Sequence, residues 1–142
     1  MPAVIDTNLL YAWRNGNDEL HAEGTNVVEA ASDGQTPKIH IPDAFFQEAT
    51  KHIHNELGYH ATIKTMDALV ADPQFSIVRL TDGDLRRGRA LFREHDKLEL
   101  PDAIAVAYMR REQIEYIYSH DDDFDRFDDI TRFERPIDPR SP

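Results

Sequence analysis

The chain has 142 residues, a net charge of −11 and no cysteine, which suits one compact domain and excludes disulfide staples, thiolate metal sites and cysteine nucleophiles. Hydrophobic residues make up 40% and aromatics 9%, enough for a sizeable core and too many for global disorder. No apolar run approaches the roughly 18 residues of a membrane span and no basic-then-apolar leader opens the chain, so a soluble cytoplasmic protein is expected.

In chain order, "AVI" at 3–5 is a short apolar run that predicts a buried strand ending at Asp6. A helical pattern follows through Leu9, Leu10 and Trp13, broken by "NGND". Asn17 or Asp18 is placed to cap a second helix over about 19–32, whose inner face carries Val27, Val28 and Ala31. "KIHI" at 38–41 reads as a strand closed by Pro42, and Asp43 opens a long helix that stops at Gly58. "ATIKTMDALVAD" is a further helix ended by Pro73, and "FSIVRL" at 75–80 a strand. Thr81 and Asp84 form a capping-box pattern, with Asp in place of Glu, at the head of an arginine-rich helix. "LPDAIAVAYMRREQ" is an alanine-rich helix able to approach a sheet closely, "IEYIYS" at 114–119 a strand, and "ITRF" a last short strand before a polar tail over 136–142. Strands alternating with helices, with no repeat and no linker, predict a single three-layer α/β domain over 1–135 with a parallel sheet of about five strands. Neither GxGxxG nor GxxxxGK[ST] occurs, so no glycine-rich phosphate loop is expected.

In such a sheet the loops leaving the C-terminal strand ends share one edge, where ligands bind. Asp6 and Asp121 each leave a strand there. Asp102 starts a helix that feeds strand 114–119 and therefore begins at the same edge. Glu48 lies about 8 Å along its helix by rise per residue and reaches the same place if that helix leans inward. Four acids far apart in sequence thus converge by topology. Carboxylates so close raise one another's pKa unless a cation intervenes, and hard Mg²⁺ or Mn²⁺ prefers oxygen ligands. One such ion lowers the pKa of its water, and a second can clamp the attacking and leaving oxygens of a displacement.

The bland alternatives are specific. Asp6 fits a helix N-cap, Asp102 complements a helix dipole, and Glu48 fits an exposed i,i+4 contact with His52. Capping accounts for Asp82 and Asp84, and solvation for Asp125, Asp128 and Asp129. The seven histidines, His52, His54 and His60 among them, show no HExxH spacing for zinc, and His120 borders the acidic run as a neighbour. Arg14, Arg86, Arg87, Arg89, Arg93, Arg110 and Arg111 are candidate contacts for an anionic substrate, with solvated helix faces the default. Tyr11 and Trp13 are candidate stacking surfaces, with core packing the stronger reading of Trp13.

The net charge itself is double-edged, because phosphate binding ordinarily leans on basic surface whereas acids gathered around a divalent cation are neutralised by it. Twelve arginines against four lysines, with acids over the whole chain, suit a high-salt cytoplasm where self-repulsion is screened, a hypothesis that salt dependence tests.

"VIDTNLL", "IPDAFFQEA", "LPDAIAVA" and "YSHDDDF" together, in this order and over nearly the whole chain, resemble the four acidic motifs of PIN-domain ribonucleases, above all the VapC-type toxins of toxin–antitoxin pairs. The resemblance implies a PIN-like fold and a Mg²⁺- or Mn²⁺-dependent endoribonuclease, homodimeric and silenced by a cognate antitoxin. Carried over by motif, it makes Asp6, Asp102 and Asp121 metal ligands, Glu48 the family's glutamate, Asp123 an auxiliary acid, and Thr7, Asn8 and Ser119 supporting residues, Ser119 standing where threonine is commoner. Asp122 has no counterpart, and a one-residue slip would exchange it with Asp121. The rivals are a catalytically silent PIN-fold regulator that binds RNA or protein, and a housekeeping RNA-processing nuclease. A receiver-type phosphoacceptor domain is disfavoured because "VIDTN" offers one acid and no lysine follows Ile117. Small size without an appended module favours the toxin.

Overall fold

The computed structural model describes residues 1–141 and holds five strands and six α-helices among them. The elements are β1 (Ala3–Ile5), α1 (Thr7–Arg14), α2 (His21–Ser32), β2 (Ile39–Pro42), α3 (Asp43–Leu57), α4 (Tyr59–Ala71), β3 (Phe75–Val78), α5 (Asp82–Glu94), α6 (Leu100–Arg111), β4 (Tyr116–Tyr118) and β5 (Thr131–Phe133). A 3₁₀ turn over Asp122–Arg126 separates β4 from β5. Of the tail expected over 136–142, Pro142 lies outside the described residues.

All pairings are parallel and the strand order is β3-β2-β1-β4-β5. The chain therefore builds outward from β1 in one direction and returns to the other side of β1 with β4. Right-handed crossovers then put α1–α4 on one face and the tightly packed α5–α6 pair on the other. β1 is buried on both faces, and Ile39, Ile41 and Ile117 of its neighbours are fully buried, as a two-sided parallel sheet requires. Hydrophobic burial at this sheet is what holds the ends of β1 and β4 side by side.

The strands are shorter than their apolar runs. The run over 75–80 yields only Phe75–Val78, and that over 114–119 only Tyr116–Tyr118. A strand persists only where a neighbour offers a ladder, and Pro42↔Val78 and Ile5↔Tyr118 are the last matched pairs. Gly58 adopts φ +93 between α3 and α4, a conformation that favours glycine. The capping box stands as read: Asp84 N–H donates to Thr81 Oγ1 at 3.1 Å and Thr81 N–H to Asp84 Oδ2 at 2.9 Å.

Two glycines permit close helix approach. A Cβ on Gly24 of α2 would lie 2.5 Å from the Leu9 carbonyl oxygen of α1, and one on Gly88 of α5 would lie 2.5 Å from Ile104 Cγ1 of α6. α1 and α6 are the helices that open at Asp6 and near Asp102, so these crossings set the walls of the functional edge.

Candidate active site

The strand order reverses between β1 and β4, and the C-terminal ends of those two strands carry Asp6 and the segment Ser119–Asp121. This is the switch point at which open α/β sheets take ligands. Asp6 stands at the N-cap position of α1, yet its side chain makes no capping bond. Its Oδ2 instead accepts the Ser119 hydroxyl at 2.7 Å, and Ser119 Oγ in turn accepts the Asp121 N–H at 3.0 Å. Ser119 is fully buried. It therefore links the first acid to the backbone of the fourth, and the capping account of Asp6 is displaced by a bond across the sheet.

Asp6 is 4% exposed, and burial, with the charges of Asp121 and Glu48, pushes its carboxyl up to about 6 against the bonds from Ser119 and the Thr7 backbone. Asp102, in the first turn of α6, is pushed up to about 8 by burial and by the charges of Asp6, Asp121, Glu99 and Glu48. Burial and Glu99 also raise Glu48, while His52 lowers it. The charges of Asp121 and Glu48 bear on both Asp6 and Asp102, which puts these four acids in one electrostatic neighbourhood. Asp122 is exposed, whereas Asp121 is half-buried and acts on both Asp6 and Asp102.

Asp121 also caps the 3₁₀ turn by accepting the Asp123 N–H at 2.9 Å. Carboxylate oxygens of Asp121, Asp122 and Asp123 lie within 4.8 Å of one another, close enough to share an ion. Asp123 additionally pairs with Arg126 at 3.2 Å.

Several acids elsewhere have arginine partners. Asp84 is bound by Arg111, Asp129 by Arg110, Asp125 and Glu134 by Arg132, and Asp138 by Arg140. Among the described residues, no Lys, Arg or His forms a salt bridge with Asp6, Glu48, Asp102 or Asp121. A set of hard oxygen donors, two of them strongly desolvated and none salt-bridged, has the chemistry a divalent cation of the Mg²⁺ or Mn²⁺ type prefers. Among the described residues, the acids already at shared-ligand spacing are Asp121, Asp122 and Asp123, and neither Asp6 nor Asp102 joins such a group.

The family model described as the PIN domain matches residues 3–130. The chain belongs to the PIN-domain family. Among solved structures, this PIN domain is similar to VapC20 of Mycobacterium tuberculosis, described as a toxin that cleaves the sarcin–ricin loop, with a TM-score of 0.75, 18% identity, and 87% of this chain and 93% of that one covered. It is also similar to a chain of a toxin–antitoxin complex from Klebsiella pneumoniae, with a TM-score of 0.69, 26% identity and coverages of 96% and 98%. A chain of VapBC2 from Rickettsia felis, solved bound to a DNA fragment from its promoter, matches with a TM-score of 0.69, 12% identity and coverages of 94% and 98%. No protein of curated function matches the sequence.

Several residues of the PIN domain sit otherwise than the sequence suggests. Tyr11 is only 6% exposed, its hydroxyl accepts from Asn15 at 2.7 Å, and the His52 ring lies flat on it at 3.6 Å, so its face is not open to a base. Trp13 packs against the core as expected, with Arg14 Cζ 5.0 Å from its ring centroid. Arg110 and Arg111 are tied to Asp129 and Asp84, and Arg86, Arg89 and Arg93 are exposed on α5. Asp84 is more than a cap, since it is fully buried in a two-pronged bond with Arg111. Glu99 is the acid overlooked: it is the N-cap residue of α6, three before Asp102, and its charge bears on both Asp102 and Glu48. The i,i+3 spacing at a helix start was the available signal.

Proposed function

We propose that the chain is a divalent-metal-dependent endoribonuclease and the toxin of a toxin–antitoxin pair. The observation that carries this reading is the set of uncompensated carboxylates at the β1/β4 switch point of a PIN domain. Asp6, Asp102 and Asp121 would hold the ion, with Asp123 as an auxiliary acid, and Ser119 fixes the orientation of Asp6 by its 2.7 Å bond. A bound Mg²⁺ or Mn²⁺ supplies a water of lowered pKa and charge stabilisation on the phosphoryl oxygens. Glu48, less buried and with a raised pKa, takes the proton of the attacking water. Thr7 and Asn8 begin α1 directly after Asp6 and support the site from that side. The 26% identical Klebsiella chain, solved in a toxin–antitoxin complex, supports the toxin assignment and an antitoxin partner; the homodimer is carried by the family resemblance alone.

The test is cleavage of a mixed RNA pool by the purified chain in Mg²⁺, Mn²⁺ or EDTA, at low and high salt, beside Asp6→Asn and Asp102→Asn. Metal-dependent cuts are expected, with each variant at least about a hundredfold slower, because a lost ligand costs several kcal/mol of transition-state stabilisation. Equal cutting by wild type and both variants overturns the assignment.

A further inference from the structure

Beside the acids, Thr7, Asn8, Glu48, Lys51, His52 and Asn55 line a cleft of about 230 Å³. Its α3 wall is one helical face, since Glu48, Lys51, His52 and Asn55 stand at i, i+3, i+4 and i+7. Apart from Glu48, every side chain in this lining carries a hydrogen-bond donor: a hydroxyl, two amides, an ammonium and an imidazole. In a chain of net charge −11, that donor-rich wall suits an anionic ligand.

Three features sharpen the case. Thr7 is 5% exposed, yet its Oγ1 is buried with no hydrogen-bond partner, an arrangement that costs stability unless a ligand oxygen completes it. Lys51 is exposed and, among the described residues, forms no salt bridge. His52 is held flat against Tyr11 with an interplanar angle of 6°, so its ring is fixed rather than free. From Glu48 to Asn55 the wall runs about 10 Å by helical rise, leading away from the acids and leaving room for a phosphate beside the one being cut.

We propose that this cleft holds the sugar–phosphate backbone of single-stranded RNA next to the scissile bond. Lys51 neutralises a flanking phosphate, Asn55 and Asn8 donate to its oxygens, and Thr7 Oγ1 donates to the oxygen nearest the acid centre. The proposal rests on the nuclease reading for the direction of the strand, while its binding prediction stands apart from cleavage.

The experiment reads binding and turnover separately. Anisotropy of labelled single-stranded RNA is followed across a KCl series in the Asp102→Asn background with Mg²⁺ present, and KM and kcat are measured in the wild-type background. Lys51→Ala is expected to weaken binding about five- to tenfold, to lower the slope of log K against log salt by about one, and to raise KM with kcat held within about twofold. Asn55→Ala loses about threefold without changing the slope, since a neutral donor releases no counterion. Lys51→Arg restores the slope, and Lys64→Ala on α4, outside the cleft, changes neither quantity.

RNA that binds with a Lys51-dependent slope but is never cut overturns the nuclease reading and supports the cleft. RNA that is cut with unchanged KM and slope in Lys51→Ala overturns the cleft and leaves the nuclease standing, the donors then serving a protein partner. Absence of RNA binding by the wild-type chain overturns the cleft as well.

Discussion

Asp102 shows how one residue carries the conflict at the site. Its carboxyl moves from an ordinary 3.8 to about 8, burial first and then the neighbouring acids opposing its charge. Between those values the folded chain keeps a proton that the unfolded chain has released, so metal-free stability falls as pH rises through that window. Asp6, raised to about 6 by burial against its Ser119 bond, acts in the same direction. Asp84, Asp125 and Asp129 act oppositely: arginines hold Asp125 and Asp129 below their ordinary value, and for Asp84 the bonds from Arg111 and Thr81 together outweigh its desolvation, so their support is lost only in stronger acid. The two trends occupy different pH ranges and separate cleanly. Thermal denaturation in EDTA is therefore expected to show Tm falling from about pH 4.5 to about pH 8, with Asp102→Asn flattening much of that fall. A divalent ion competes with the protons, so Mg²⁺ at about a hundred times its Kd adds about 2.7 kcal/mol near pH 8 and far less near pH 5. A Mg²⁺ effect of equal size at both pH values would place the ion elsewhere than at these acids.

At the scale of elements, period and punctuation locate most of the architecture. Apolar runs mark the strands, Gly58 and Pro73 mark helix ends, and Thr81 with Asp84 marks the head of α5. Parallel topology then brings Asp6, Asp102 and Asp121 to one edge without any contact being known. Pairing across the fold was not legible in this way, because neither partner's local pattern announces it. Arg111 read as a solvated residue at the end of α6, and Asp84, 27 positions earlier, as a cap. Together they form a fork with bonds of 2.8 and 2.9 Å that ties the end of α6 to the start of α5. Lys51 and Asn55 likewise gave no signal, and His52 none beyond a helical contact with Glu48, until α1 was seen against α3. Arg111→Ala leaves a fully buried carboxylate with the single capping bond from the Thr81 N–H and a distant Arg87 at 3.7 Å. Removing one partner of a buried pair costs about 3–5 kcal/mol, and the partial exposure of Arg111 puts this case at about 2–3 kcal/mol. Urea denaturation near neutral pH should show that loss. Arg111→Lys, which keeps the charge and loses the fork, should recover only part of it.

The molecule as a whole carries 27 acids against 16 Lys and Arg, and where the acids lie decides how it answers to salt. Arginine pairs such as Arg110–Asp129 and Arg132–Asp125, each at 2.9 Å, act over less than any screening length and contribute at most about 1 kcal/mol each at the surface. Repulsion among the remaining acids acts over longer distances. Raising KCl from about 0.1 M to about 1 M shortens the screening length from about 10 Å to about 3 Å, which removes far more repulsion than attraction. Tm in EDTA is therefore expected to rise steadily over that range, and a flat or falling curve would contradict the reading of the acidic surface as an adaptation to salt. RNA binding must run the other way, because each phosphate contact weakens as salt rises. The two demands oppose each other only if the RNA is held chiefly by charge. A cleft with a single lysine and otherwise neutral donors carries a shallow salt slope, so a protein that is stable only in concentrated salt can still hold its strand there. Cleavage rate measured against KCl should accordingly rise with the folded fraction and pass through a broad optimum. Activity that collapses as KCl rises, and is lost before about 0.3 M while the chain is still gaining stability, would mean that many charged contacts outside this cleft carry the RNA.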